Sequence, residues 1–236
     1  DFEGSNLSVI IDALAYNTYI TAYNTNMAAN ECFLDSSTLR ENVVALARNI
    51  GYVPRSKRSA RARITFSVQG LSETSTLTLN RGVVCNGAGR GSNYLFSLPE
   101  SITVPVVDNF AKFSNIEIYE GNLIQQTFTV VSNLTNQRFI LDNPSIDTST
   151  IKVEVKSTAA STSSVTYKQI DNIVGITSTS NSYLLQEIED ERYELIFGDN
   201  VIAKKLENNN LITVTYITNS GKNGNGAAEF SFIGNI

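Results

Sequence analysis

The chain has 236 residues, a net charge of −5 and no histidine. The missing histidine excludes Ser-His-Asp and Cys-His catalysis and removes the commonest ligand of catalytic zinc. With 42% apolar and 17% charged residues the composition is globular, long enough for one large or two ordinary domains, and the acidic balance argues against a dedicated nucleic-acid binder.

Cys32 and Cys85 have no metal-ligand spacing around them, and both read as buried small apolar side chains. A disulfide between them stays open without support. No apolar run approaches the roughly 18–20 residues that span a bilayer, and no secretory signal core is present. The chain begins at Asp1 and its single methionine is Met27, so a piece of a longer or processed protein is expected.

A first helix is expected after Ser5 or Asn6, either of which can cap free backbone N–H groups. Leu7, Ile10, Ile11 and Leu14 recur at helical spacing, and Tyr16, Tyr19, Ile20, Tyr23 and Met27 follow. Asn17, Thr18, Thr21, Asn24, Thr25 and Asn26 are poor helix formers, so this helix, read as amphipathic, needs neighbours. The tyrosines read as core or interface packing, each with a wide apolar body and a polar tip.

Thr38-Leu39-Arg40-Glu41 fits a capping box in which Glu41 reaches back. Val43, Val44, Leu46, Ala47 and Ile50 then give a second helix its apolar face, closed by Gly51 and stopped by Pro54. Arg55, Lys57, Arg58, Arg61 and Arg63 form a basic connector. Nucleic-acid or phosphate binding is one reading of it. A solvated or subunit-facing connector into the first strand is the other, and a contact with an acidic partner is favoured over nucleic acid.

From Ile64 onward the pattern is strands and turns. Ile64–Gln69 alternates, Asn80-Arg81-Gly82 turns, and Gly87–Gly91 reads as a hairpin loop because no helix follows it to hold a phosphate. Ile116–Tyr119 and Thr127–Val131 are expected to form a hairpin across Glu120-Gly121-Asn122. Tyr183–Ile188 and Tyr193–Phe197 bracket a charged turn, and Leu211–Ile217 is a strong strand. The fold class is therefore α+β, an N-terminal pair of helices followed by antiparallel β-rich domains. The expected division is 1–61 helical, 62–113 a first β-subdomain and 114–236 a second β-rich domain.

Carboxylates are the remaining catalytic material. Glu187, Glu189, Asp190, Glu191 and Glu194 cluster in sequence, which a two-carboxylate hydrolase would need. A solvated turn accounts for them more simply. Asp199 and Asn200 after Gly198 lack the ligand ladder of a calcium loop, so a turn is expected there and no metal.

Three segments, taken together, resemble the baseplate wedge proteins of contractile-tail bacteriophages. They are Gly4–Thr18 (GSNLSVIIDALAYNT), Met27–Asp35 (MAANECFLD) leading through Leu39–Val43 to Gly51–Ser56, and Tyr193–Asn200 (YELIFGDN) with Ile212–Tyr216 and Gly224–Gly226. The last resembles the strand-turn-strand of baseplate J-like proteins, with Asn200 and Ala203 where that pattern has glycines.

The resemblance implies a non-enzymatic structural subunit in the virion tail baseplate, assembled in the host cytoplasm. It implies a second β-domain of J-like type. Its partners would be other wedge subunits and copies of itself in a symmetric ring around the tail tube, rearranging on contraction. No cofactor, nucleic acid, membrane or small-molecule substrate is implied. Leu7, Ile10, Ile11, Leu14, Tyr19, Tyr23, Met27, Val43, Leu46 and Ile50 would pack an inter-subunit bundle, and the basic connector would meet a neighbour or lead into the sheet. Gly51, Pro54, Gly198, Asp199 and Asn200 are structural turns. A carbohydrate- or receptor-binding tail module is the alternative, suggested by Tyr, Asn and Thr richness and opposed by the lack of tryptophan.

Overall fold

The computed structural model describes residues 6–49, 56–72, 74–89, 91–134, 136–170 and 174–236. By internal contacts the chain separates into two units, Asp1–Pro54 and Arg55–Ile236.

In the first unit, α1 (Asn6–Glu31) runs 26 residues without Gly or Pro, a length of about 39 Å. Its threonines do not break it, because the Thr18 and Thr25 hydroxyls donate to the carbonyls of Leu14 and Thr21, each at 2.8 Å. A tight turn through Phe33 and Ser37 then leads to α2 (Arg40–Asn49). The expected capping box is not what forms. Glu31, from the end of α1, takes the role given to Glu41: its carboxylate accepts the Thr38 backbone N–H at 2.9 Å and the Ser37 and Thr38 hydroxyls at 2.7 and 2.8 Å. The turn brings Glu31 back over the helix start, so one distant carboxylate accepts the N–H groups of Thr38 and Leu39 just ahead of α2. Ile50, Gly51, Pro54 and Arg55 lie outside the described residues, as does Ser5.

The second unit holds two seven-stranded sheets. The first contains β1 (Arg61–Gln69), β2 (Thr76–Leu79), β3 (Gly82–Gly89), β4 (Ser92–Leu98), β5 (Ile102–Val107) and β6 (Phe110–Glu120). Strand β6 is its spine, bonded along one edge to β1 and along the other to β4 and β5. The expected glycine-rich hairpin joins β3 to β4. Period-two alternation, reset by an irregularity at Asn115, buries Phe113 and then Ile116 and Ile118, which meet Leu79, Val84 and Phe96 in one core.

The second sheet contains β7 (Asn122–Thr129), β8 (Phe139–Leu141), β9 (Ile146–Lys156), β10 (Val165–Gln169), β11 (Ser182–Glu187), β12 (Tyr193–Phe197) and β13 (Leu211–Thr218). The strong strand of the sequence, β13, lies between β7 and β9 and buries Ile212, Val214 and Tyr216 completely. Most pairings are antiparallel; β10 and β11 run parallel, joined by a connection long enough for a crossover. The last strand, β14 (Glu229–Phe232), returns to the first sheet beside β3.

The hairpin expected across Gly121 does not form. β6 and β7 belong to different sheets, and Gly121 is the crossing point, with φ +120°. Its N–H donates to Leu95 O at 2.7 Å, and its carbonyl accepts the Ser97 hydroxyl at 2.6 Å. These bonds turn the chain out of the first sheet where a two-residue turn would have folded it back.

Candidate assembly surfaces

The apolar side chains of α1 are exposed from end to end: Leu14 keeps 60% of its surface and Tyr16 69%. Helical geometry of about 100° per residue places Leu7, Ile10, Ile11 and Leu14 on one face. The same geometry puts Tyr16, Tyr19, Tyr23 and Met27 on the opposite face, with the half-buried Ile20. The apolar stripe thus changes sides midway, and α1 is not amphipathic along a single face as the sequence reading had it. In α2, Val44 and Ala47 are buried while Val43 and Leu46 are half-buried. Ile50 falls outside the described residues.

The basic connector is bound into its own unit. The Ser59 N–H donates to the buried Asp147 carboxylate at 2.9 Å, Thr148 N–H donates to Ser56 Oγ at 2.9 Å, and the Asn219 amide donates to Lys57 O at 3.2 Å. Lys57 pairs with Glu191 at 2.8 Å. Arg61 and Arg63 share Glu117 at 3.3 and 3.5 Å, and the Arg61 guanidinium also lies 5.0 Å over the Tyr119 ring. Arg58 is exposed and has no partner among the described residues. Arg55 is outside them.

The turn after β12 is built from its own side chains. Asp199 Oδ1 accepts the N–H groups of Val201 and Ile202, both at 2.9 Å, and Asn200 Oδ1 accepts Lys205 N–H at 2.9 Å. The bond from Ile202, then that from Val201, holds the Asp199 carboxyl below its ordinary range. Asn200 and Ala203 both take left-handed backbone angles, φ +71° and +61°. A Cβ at Gly198 would run into the Ala203 carbonyl, so this glycine is required by close approach. The turn leaves Val201 75% exposed and Ile202 half exposed, two apolar side chains that turn chemistry alone did not mark.

The clustered carboxylates are dispersed onto separate cations. Glu194 receives Arg138 through two bonds of 2.8 and 2.7 Å, Glu191 meets Lys57, and Asp190 lies 3.6 Å from Arg192. Glu187 is buried, and the Glu189 side chain is not among the described ones. Among the described residues no group of His, Cys, Asp or Glu is placed to hold a metal, and no helix is long and apolar enough to cross a membrane. Cys85 is buried as expected. Cys32 is exposed, because it lies in the open turn just after α1; its thiol donates to Ala28 O at 3.2 Å.

Residues 1–52 match the family model described as baseplate wedge protein gp6-like, helical domain. The chain is also 28% identical to the baseplate wedge protein gp6 of Enterobacteria phage T4 over 250 aligned residues, covering 98% of this chain. It spans 37% of the length of that protein. The similarity seen in three segments therefore extends along nearly the whole chain, which resembles a baseplate wedge protein throughout and matches the gp6-like helical domain over its N-terminal 52 residues.

Proposed function

We propose that this chain is a structural subunit of a phage tail baseplate wedge, located in the virion tail. It joins other wedge subunits and copies of itself in a ring around the tail tube, through α1, α2 and the β-unit, and rearranges when the sheath contracts. The observation that carries this reading is α1: a helix of 26 residues with bare apolar side chains on two opposite faces. Its intrinsic propensity is poor, and burying each Leu or Ile would contribute about 1.5–3 kcal/mol. A stripe that changes sides calls for a partner on each side, hence a bundle with at least two neighbouring helices. The turn at Val201 and Ile202 supplies a further contact from the β-unit. Similarity to a structural baseplate protein and the dispersal of the carboxylates onto cations both favour a role without catalysis.

The test is the mass of the native complex by imaging or native mass spectrometry, with two paired variants. Ile10→Asp with Leu14→Asp, and Tyr19→Asp with Tyr23→Asp, should each abolish incorporation while the β-unit keeps its melting transition. A chain that stays monomeric in its native source, or either pair assembling normally, overturns the reading.

A further inference from the structure

A polar cleft of about 620 Å³ lies between the connector and strands β9 and β10. Three cations line it, Arg58, Lys152 and Lys168, and no carboxylate does. In a chain of net charge −5 this is a local reversal of sign. Lys152 is occupied by Glu100 at 2.7 Å and Glu154 at 3.1 Å. The side chains of Arg58 and Lys168 are exposed and make no hydrogen bond or ion pair among the described residues. The nearby Asp147 carboxylate is turned inward, accepting the N–H of Ser59 at 2.9 Å and the Ser149 hydroxyl at 2.6 Å. It is fully buried and does not line the cleft.

We infer that this cleft takes a carboxylate-bearing segment of a neighbouring protein subunit, held by Arg58 from the connector and Lys168 from β10. A planar guanidinium donates two parallel hydrogen bonds to a carboxylate, and a lysine adds a point charge without fixing orientation. The exposed Thr166 and Gln169 on the same wall offer neutral donors. A nucleic-acid strand fits less well. The two tyrosines of the cleft, Tyr167 and Tyr183, are buried and present no ring face for a base, and two open cations neutralise few phosphates. The assignment of the partner as another subunit rests on the wedge reading, whereas the charge preference of the cleft does not.

The direct test uses a labelled hexaglutamate peptide, followed by fluorescence anisotropy at low salt. R58E/K168E should weaken binding by roughly tenfold or more. K57A should leave it unchanged, because Lys57 is spent on Glu191. Equal melting temperatures establish that the variants are folded. Unchanged peptide binding in R58E/K168E overturns the proposal. So does a short DNA duplex that binds more tightly than the peptide and is lost with the same two substitutions. Native mass spectrometry separates the two readings: if wild type assembles and R58E/K168E assembles equally well, the cleft is not the contact although the wedge reading stands. If wild type does not assemble, the wedge reading fails and the peptide result alone decides the cleft.

Discussion

Glu31, the last residue of α1, accepts the side-chain amide of Asn42, in the first turn of α2, at 2.8 Å. With the bonds from Ser37 and Thr38 this holds the Glu31 carboxyl down, from an ordinary 4.5 to about 2, the Asn42 bond being the largest cause. A depressed carboxylate contributes stability in full above its unfolded value and loses it as protons bind to the folded form. The junction should therefore hold above pH 4.5, weaken progressively below it and be released near pH 2. Amide exchange at Thr38 and Leu39 measured from pH 6 to pH 2.5 should accelerate beyond the intrinsic pH trend, and Glu31→Gln should remove that excess. An exchange profile identical in the variant would refute the clamp.

Gly121 carries the chain from one sheet to the other with φ +120°, and a Cβ there would overlap the Thr218 carbonyl. Both the backbone angle and the close approach penalise any side chain. Gly121→Ala is expected to cost about 3 kcal/mol in denaturant unfolding of the β-unit. Gly70→Ala, which has a positive φ but open space around it, should cost about 1 kcal/mol. Equal midpoints for the two variants would show that crowding at the crossing is not the deciding effect.

Ala203 has φ +61° and is fully buried where the J-like pattern has a glycine. Alanine is strained in this region, while glycine costs entropy in the unfolded chain. The first effect is the larger, so Ala203→Gly should stabilise the β-unit by about 0.5–1 kcal/mol. The midpoint of thermal unfolding reads it directly. A lowered midpoint would mean that the Ala203 methyl contributes more by packing than its backbone angle costs.

Cys32 and Cys85 should separate cleanly in reactivity. Burial pushes the Cys85 thiol up, and the thiolate is the reactive form. Native protein treated with iodoacetamide should gain one adduct, at Cys32, and a second only after unfolding. Mass spectrometry of the intact chain and its peptides gives the count, and early modification of Cys85 would contradict the packing of the first core.

Local chemistry made much of the fold legible. The long helix follows from apolar spacing free of Gly and Pro, and β3–β4 and β11–β12 follow from alternation broken by turn residues. The turn at Gly198–Asn200 was readable because the Asp199 side chain satisfies backbone groups two and three residues away and Asn200 one five residues away. Glu31 as a cap was not readable. It lies seven residues before Thr38, and only the intervening turn brings it back, whereas Glu41 stood at the standard spacing. The supposed hairpin at Gly121 failed for a related reason. A glycine between two alternating runs specifies a change of direction without specifying which strand is met next.

For the candidate surfaces the division is similar. Sequence alone placed the apolar residues of α1 and the basic residues of the connector, since both are runs along the chain, and carried the resemblance to baseplate wedge proteins. Which cations remain open was settled by pairs distant in sequence: Lys57 with Glu191, Arg61 and Arg63 with Glu117. The meeting of Arg58 with Lys168 in one cleft depends on β9 and β10 lying beside the connector. Periodicity and capping act over a few residues, so the chain encodes them openly. Charge pairing and sheet crossing act through space, and only the folded chain brings those groups within reach.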